Sequence, residues 1–157
     1  AMSSLAFAEG VKVGVVNVAL LLEEAPQASA ATENLKQEFA KQQQDLKNLA
    51  VTLEKEQAAY EKNKAVMSDG QKASKERELS LKHRELQRSR NDIQEMINIR
   101  RNEELAKIQI LVNQVIKSIG EQKSFDLILY EGIAYTNSRI DITPLVLEKL
   151  KTMQTQK

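Results

Sequence analysis

The sequence predicts an α+β, mainly α fold: a long antiparallel helical hairpin inserted in a small β-containing body. Three observations predict it. From Ala28 to Ile119 apolar residues recur in steps of four and three, the spacing of a coiled-coil seam. Side chains that fill a broad globular core are scarce, since 4% of the 157 residues are aromatic, 29% are charged, and there are only 5 Gly and 2 Pro. Runs dense in β-branched residues lie outside the repeat, one before it and one after it.

The first run is "VKVGVVNVALLLEEAP", residues 11–26. Val11, Val13, Val15, Val16 and Val18 around a single Gly14 read as a buried strand, and Leu20, Leu21 and Leu22 turn into a short helix ending before Pro26. The seam follows through Leu35, Phe39, Gln42, Leu46, Leu49, Leu53, Glu56, Tyr60, Asn63 and Met67. Seven of these ten positions are apolar, a stripe narrow enough to bury against one partner helix.

That partner lies beyond Ser68-Asp69-Gly70. Leu79, His83, Leu86, Arg90, Ile93 and Ile97 repeat the spacing, which restarts one residue out of phase at Leu105, Ile108, Val112, Val115 and Ile119. Ser-Asp-Gly is read as a turn in which Asp bonds its own backbone and Gly takes a positive φ. Forty residues of helix would place that turn roughly 60 Å from the root. The polar seam positions Gln42, Glu56 and Asn63 make the arm a loosely held one, whereas the root "IQILVNQVIKSIG" is apolar on more than one face.

After Gly120, "FDLILYEGIAYTN" offers two short β-rich runs, Phe125–Tyr130 and Ile133–Thr136. A last helix opens at "DITPLVLEKLK", with Thr143 as N-cap and Pro144 in the first turn. About three strands are too few to stand alone with open faces. Their edges, with the over-hydrophobic root, predict a body completed by symmetry mates closing a shared β-barrel. The organisation expected is residues 9–30 and 105–157 as the β-containing body and 31–104 as the hairpin, with its tip at 68–71.

Net charge is +1 over the chain, yet residues 61–90 hold nine Lys and Arg against five Asp and Glu. The surplus sits on the return helix near the tip, where it offers attraction to acidic or anionic-lipid surfaces. Nucleic-acid binding is not expected, because that segment lacks interleaved aromatics for base stacking. With one His, no Cys, no G-x-S-x-G and no phosphate-binding Gly loop, no catalytic residues, cofactor or metal site are expected. His83 reads as a polar seam residue.

"SLAFAEG" places Ala6-Phe7-Ala8 before Glu9, the small-x-small pattern of a signal-peptidase site. Residues 1–8 are read as a signal-peptide remnant with residues left from expression; a disordered tag rich in alanine reads equally well.

"VKVGVVNVALLLEEAP", the charged hairpin, "RRNEELAKIQILVNQVIKSIG" and "FDLILYEGIAYTNSRIDITPLVLEKLK", in that order, resemble the Skp (OmpH-like) periplasmic chaperones. The resemblance covers residues 9–151. It implies a jellyfish-shaped homotrimer whose three hairpins surround a cavity. It further implies an ATP-independent periplasmic holdase that keeps unfolded outer-membrane proteins from aggregating and passes them on for insertion. Client-binding residues are not identified by it beyond the inner hairpin faces; Met67, at the tip, reads either as a client contact or as the closing layer of the seam.

The resemblance also implies a lipopolysaccharide or anionic-lipid patch, which maps to Arg90, Arg100 and Arg101. The same face also reads as solvated helix with i, i+4 pairs such as Glu78–Lys82. A structural coiled-coil spacer or scaffold, and a basic nucleic-acid binder, are the alternative functions.

Overall fold

The computed structural model describes residues 10–154, so the reading of residues 1–8 lies outside the described residues. The elements are β1 (Val13–Val15), α1 (Val18–Glu24), α2 (Pro26–Asn63), a 3-10 turn (Lys64–Val66), α3 (Asp69–Gln122), β2 (Leu127–Leu129) and α4 (Thr143–Gln154). The chain divides into two compact units. One contains the residues up to Ala31 and those from Glu103 onward, and the other is Thr32–Asn102.

In the first unit β1 and β2 pair in parallel, Val13 opposite Leu127 and Val15 opposite Leu129. A parallel pair requires a long crossover, and α1, α2 and α3 all intervene in the chain. The other side of β1 is also occupied. Val15 N–H donates to the Ile140 carbonyl at 2.8 Å, and Ile142 N–H donates to the Val15 carbonyl at 2.9 Å. Leu127, Leu129 and Tyr130 are exposed along the β2 edge.

Ile133–Thr136, expected as a strand, runs without regular structure. β-rich side chains make a strand only when a neighbour supplies the ladder, and no described segment of this chain pairs with these residues.

The unit's core joins α1, the end of α3 and α4 through the fully buried Leu21, Val112, Val146 and Leu150, with Val16 from the chain after β1. Gly14 lets this sheet sit close to its cover: a Cβ there would lie 3.0 Å from both Ile142 and Phe125. Ile108, Val115, Ile116 and Ile119 are buried as the apolar root requires, but Leu105 and Ile110 are exposed.

Two polar links fix the helix starts. Asn17 caps α1, its side-chain oxygen accepting from Leu20 N–H at 3.1 Å. Thr143 is not the N-cap of α4 but its first helical residue, and it is buried. Its hydroxyl accepts from Asn17 N–H at 2.8 Å and donates to Asp141 Oδ1 at 2.6 Å, tying the two helix starts together. A hydroxyl so engaged is unavailable to the α4 turn.

In the second unit α2 and α3 run antiparallel. The links Tyr60–Glu76, Glu56–Lys82 and Glu38–Arg100 join residues 16, 26 and 62 apart, nested about Ser68–Asp69 as a hairpin demands. The reversal occupies residues 64–68, and α3 begins at Asp69.

Gly70 therefore lies in the first turn of α3 rather than in the turn, and Gly132 is the positive-φ glycine among the described residues. The break is a capping box. Ser68 Oγ accepts from Gln71 N–H at 3.1 Å while Gln71 Oε1 accepts from Ser68 N–H at 3.0 Å. Lys72 N–H then donates to the Ser68 carbonyl at 2.9 Å as the helix starts. Asp69 in the first turn puts a carboxylate at the positive end of the helix dipole.

Candidate functional site

The hairpin's surface is the candidate site, and its packing decides which side chains are offered to a partner. Near the tip Leu53, Tyr60 and Leu79 are buried together, with Met67 and Leu86 packed against them. The Tyr60 hydroxyl donates to the Glu76 carboxylate. That bond, with burial and the nearby carboxylates, pushes the phenol up to about 12, because ionising it would strip the donor and set two anions together.

Beside this cluster Lys82 reaches Glu56 across the hairpin at 2.7 Å and Glu78 on its own helix at 3.1 Å. The hydrogen bonds it donates to both carboxylates hold its ammonium above the usual lysine value. Glu78 is held below the usual carboxylate range, first by its bond to Lys82 and then by Lys75. Partly exposed pairs of this kind fix register more than they add stability.

The α3 seam is displaced by one residue from the sequence reading over part of its length. His83 and Arg90 are exposed, and the half-buried positions are Lys82 and Ser89, followed by Ile93, Ile97 and Arg100. A lysine can occupy a seam because its methylene stem packs while its ammonium stays wet.

The three arginines of the expected anion patch are consequently not equivalent. Arg90 and Arg101 are exposed and lie about three turns apart on nearly the same side of α3. Arg100 is half-buried and turned to α2, its Nε donating to Glu38 Oε1 at 3.1 Å and its Nη2 to Glu38 Oε2 at 3.3 Å. Met67 is half-buried against the tip cluster, which places it in the closing layer of the seam.

The residue next to it, Val66, is 88% exposed. Val51, Leu81, Met96 and Ile99 are exposed apolar side chains on the same hairpin. Leu81 and Ile99 stand 18 residues apart, about five turns, so they share one side of α3. Sequence reasoning passed over these residues. The available signal was an apolar side chain falling off the seam of an otherwise charged helix.

Among the described residues no His, Cys, Asp and Glu group is arranged to hold a metal ion, and no helix is long and apolar enough to cross a membrane.

A family model described as "Outer membrane protein (OmpH-like)" matches residues 12–150. The chain belongs to the OmpH-like family. Among solved structures, a crystal structure of a candidate outer membrane chaperone (OmpH-like) from Caulobacter crescentus CB15 is similar to it, with a TM-score of 0.79 and 17% sequence identity. The similarity covers 92% of this chain and 86% of the Caulobacter chain, and at that identity it establishes a shared fold. No curated protein matches this OmpH-like chain.

Proposed function

We propose that this OmpH-like protein is an ATP-independent periplasmic holdase chaperone. It encloses unfolded outer-membrane proteins among the hairpins of a homotrimer, prevents their aggregation and releases them for outer-membrane insertion. The observation that carries the reading is the family match over residues 12–150. The likeness to a Caulobacter protein described as a candidate outer membrane chaperone supports it.

The hairpin chemistry suits such a role. Val51, Val66, Leu81, Met96 and Ile99 offer exposed apolar contacts spread along a charged hairpin. Each contact is weak, so retention comes from many of them acting at the high effective concentration of an enclosed guest, and release needs no nucleotide. Arg90 and Arg101 are the free-facing members of the proposed lipopolysaccharide or anionic-lipid patch.

Assembly is supported by the β2 edge, where Leu127, Leu129 and Tyr130 are exposed on a strand paired on one side. Unpaired strand edges with apolar side chains are covered in stable proteins, and copies of the same chain closing a shared barrel would cover this one. In this reading the body trimerises and the hairpin holds.

Deleting Lys36–Glu104 and joining the stubs through a short turn separates those two roles. The product is expected to remain a trimer and to lose suppression of outer-membrane-protein aggregation. Full suppression by the deleted protein would move client binding to the body.

A further inference from the structure

With no Cys in the chain, the side chains that a peroxide oxidises first are its four methionines. Met67, Met96 and Met153 lie among the described residues, in unlike surroundings. Met96 and Met153 are exposed, so a polar sulfur there disturbs little of the fold. Met67 is half-buried and packs against Leu53, Tyr60 and Leu79, the buried cluster near the tip. It also lines a surface crevice of about 470 Å3 with Gly70, Gln71, Ser74, Lys75 and Glu78. A small oxidant in that crevice meets a side chain that closes the apolar layer.

The backbone holds Met67 in this place from both sides. Its own N–H donates to the Lys64 carbonyl at 3.2 Å, and the next N–H, of Ser68, donates to Gln71 Oε1 at 3.0 Å. The side chain therefore meets the layer from a fixed point, and a change in its polarity is felt by the packing rather than absorbed by a loose loop.

We propose that Met67 is a modification site for peroxides and acts as an oxidation-sensitive latch on the tip of the hairpin. In the step, a sulfur lone pair takes one oxygen from hydrogen peroxide, the O–O bond breaks, and the other oxygen leaves as water with both hydrogens. The sulfur loses two electrons, the peroxide gains them, and the thioether becomes a sulfoxide. A sulfoxide oxygen left in the layer is a polar group buried without a partner; hydrating it in the crevice takes the side chain out of the layer. Both routes remove the member that closes the cluster, and both bare Leu53 and Leu79, which are now 2% and 3% exposed. Reduction by a methionine sulfoxide reductase re-forms the thioether and re-closes the latch. This inference does not rest on the chaperone reading, since it concerns only the packing of the tip.

Hydrogen peroxide added to the full chain tests it, with sulfoxides located by peptide mass spectrometry and the tip read by hydrogen exchange. Met67 is expected to oxidise in the folded chain, after the exposed Met96 and Met153. Its oxidation is expected to speed exchange in residues 53–60 and 71–79 by about tenfold, the order set by a polar group entering an apolar layer. Met67→Leu keeps an apolar side chain of similar volume and cannot form a sulfoxide, so it is expected to show no acceleration. The pair Met96→Leu with Met153→Leu keeps the latch and is expected to respond as the wild type does. A tip that exchanges at its original rate with Met67 fully oxidised overturns the latch. So does equal acceleration in Met67→Leu, or a Met67 that stays reduced until helicity at 222 nm is lost. If Met67→Leu fails to fold, the paired variant decides: loss of the response there assigns it to the exposed methionines and overturns the latch.

Discussion

Gly70→Ala should stabilise the hairpin. A glycine between Ser68-Asp69 and Gln71 looks like a turn residue, and alanine in a left-handed turn would be destabilising. The structure instead puts Gly70 in the first turn of α3, where an added Cβ meets nothing within 4 Å. The methyl group brings no clash and removes conformational freedom from the unfolded chain. Glycine in a helix is worse than alanine by about 0.5–1 kcal/mol, so a gain of that order is expected.

Ser68→Ala is the companion perturbation. It deletes the Oγ that accepts from Gln71 N–H at 3.1 Å and leaves one α3 amide without its cap, at a cost of about 1 kcal/mol. Denaturant unfolding followed at 222 nm, with hydrogen exchange over residues 64–79 to confirm that the change is local, measures both. The capping-box account is refuted if Gly70→Ala destabilises by more than about 1 kcal/mol, as it would at a positive φ.

Three further outcomes are expected. The Tyr60 phenol is raised to about 12 in the folded chain, so its contribution is intact below the ordinary tyrosine value near 10 and is lost as pH rises from there through about 12. Phenolate absorbance, taken as the difference from a Tyr60→Phe variant, should show Tyr60 ionising towards pH 12 together with loss of helicity at 222 nm; ionisation of Tyr60 near pH 10 with helicity intact contradicts the Glu76 bond. Leu150→Ala, at a fully buried position, should cost about 2–5 kcal/mol, whereas Leu81→Ser, at an exposed one, should change stability by no more than about 0.5 kcal/mol while weakening client retention in a pull-down. On anionic vesicles, Arg90→Ala and Arg101→Ala should each reduce co-sedimentation by roughly fivefold, near 1 kcal/mol per cation, and Arg100→Ala by less because Glu38 already holds it; equal losses at all three contradict the distinction.

Much of the hairpin is written in the α2 sequence. Phe39, Leu53 and Tyr60 fall on the four-three repeat and are the buried residues of that helix. The α3 repeat is harder to read because His83 and Arg90 keep the count while Lys82 and Ser89 take the positions, and neither residue type advertises burial. Lysine reaches the seam through its stem and serine through mere smallness. At the break, Asp-Gly is a strong turn signal and masked the Ser-x-x-Gln box that surrounds it.

The body shows a different limit. Gly14, Val16 and Ile142 are core residues in a β-rich run or beside a helix start, as their composition suggests. Ile133–Thr136 has the same β-rich character and no strand, because a strand's formation depends on what lies beside it rather than on its own side chains. For the three arginines of the proposed anion patch the sequence shows residue types only; which of them turns inward depends on Glu38, 62 residues away from Arg100 in sequence.

The central claim is tested by diluting a urea-unfolded outer-membrane barrel protein into buffer containing this chain and no nucleotide, with turbidity and light-scattering mass read on the same sample. The account predicts a particle of about three times 17.7 kDa that takes up one guest and keeps the solution clear. A 17.7 kDa monomer that leaves aggregation unchanged would contradict it.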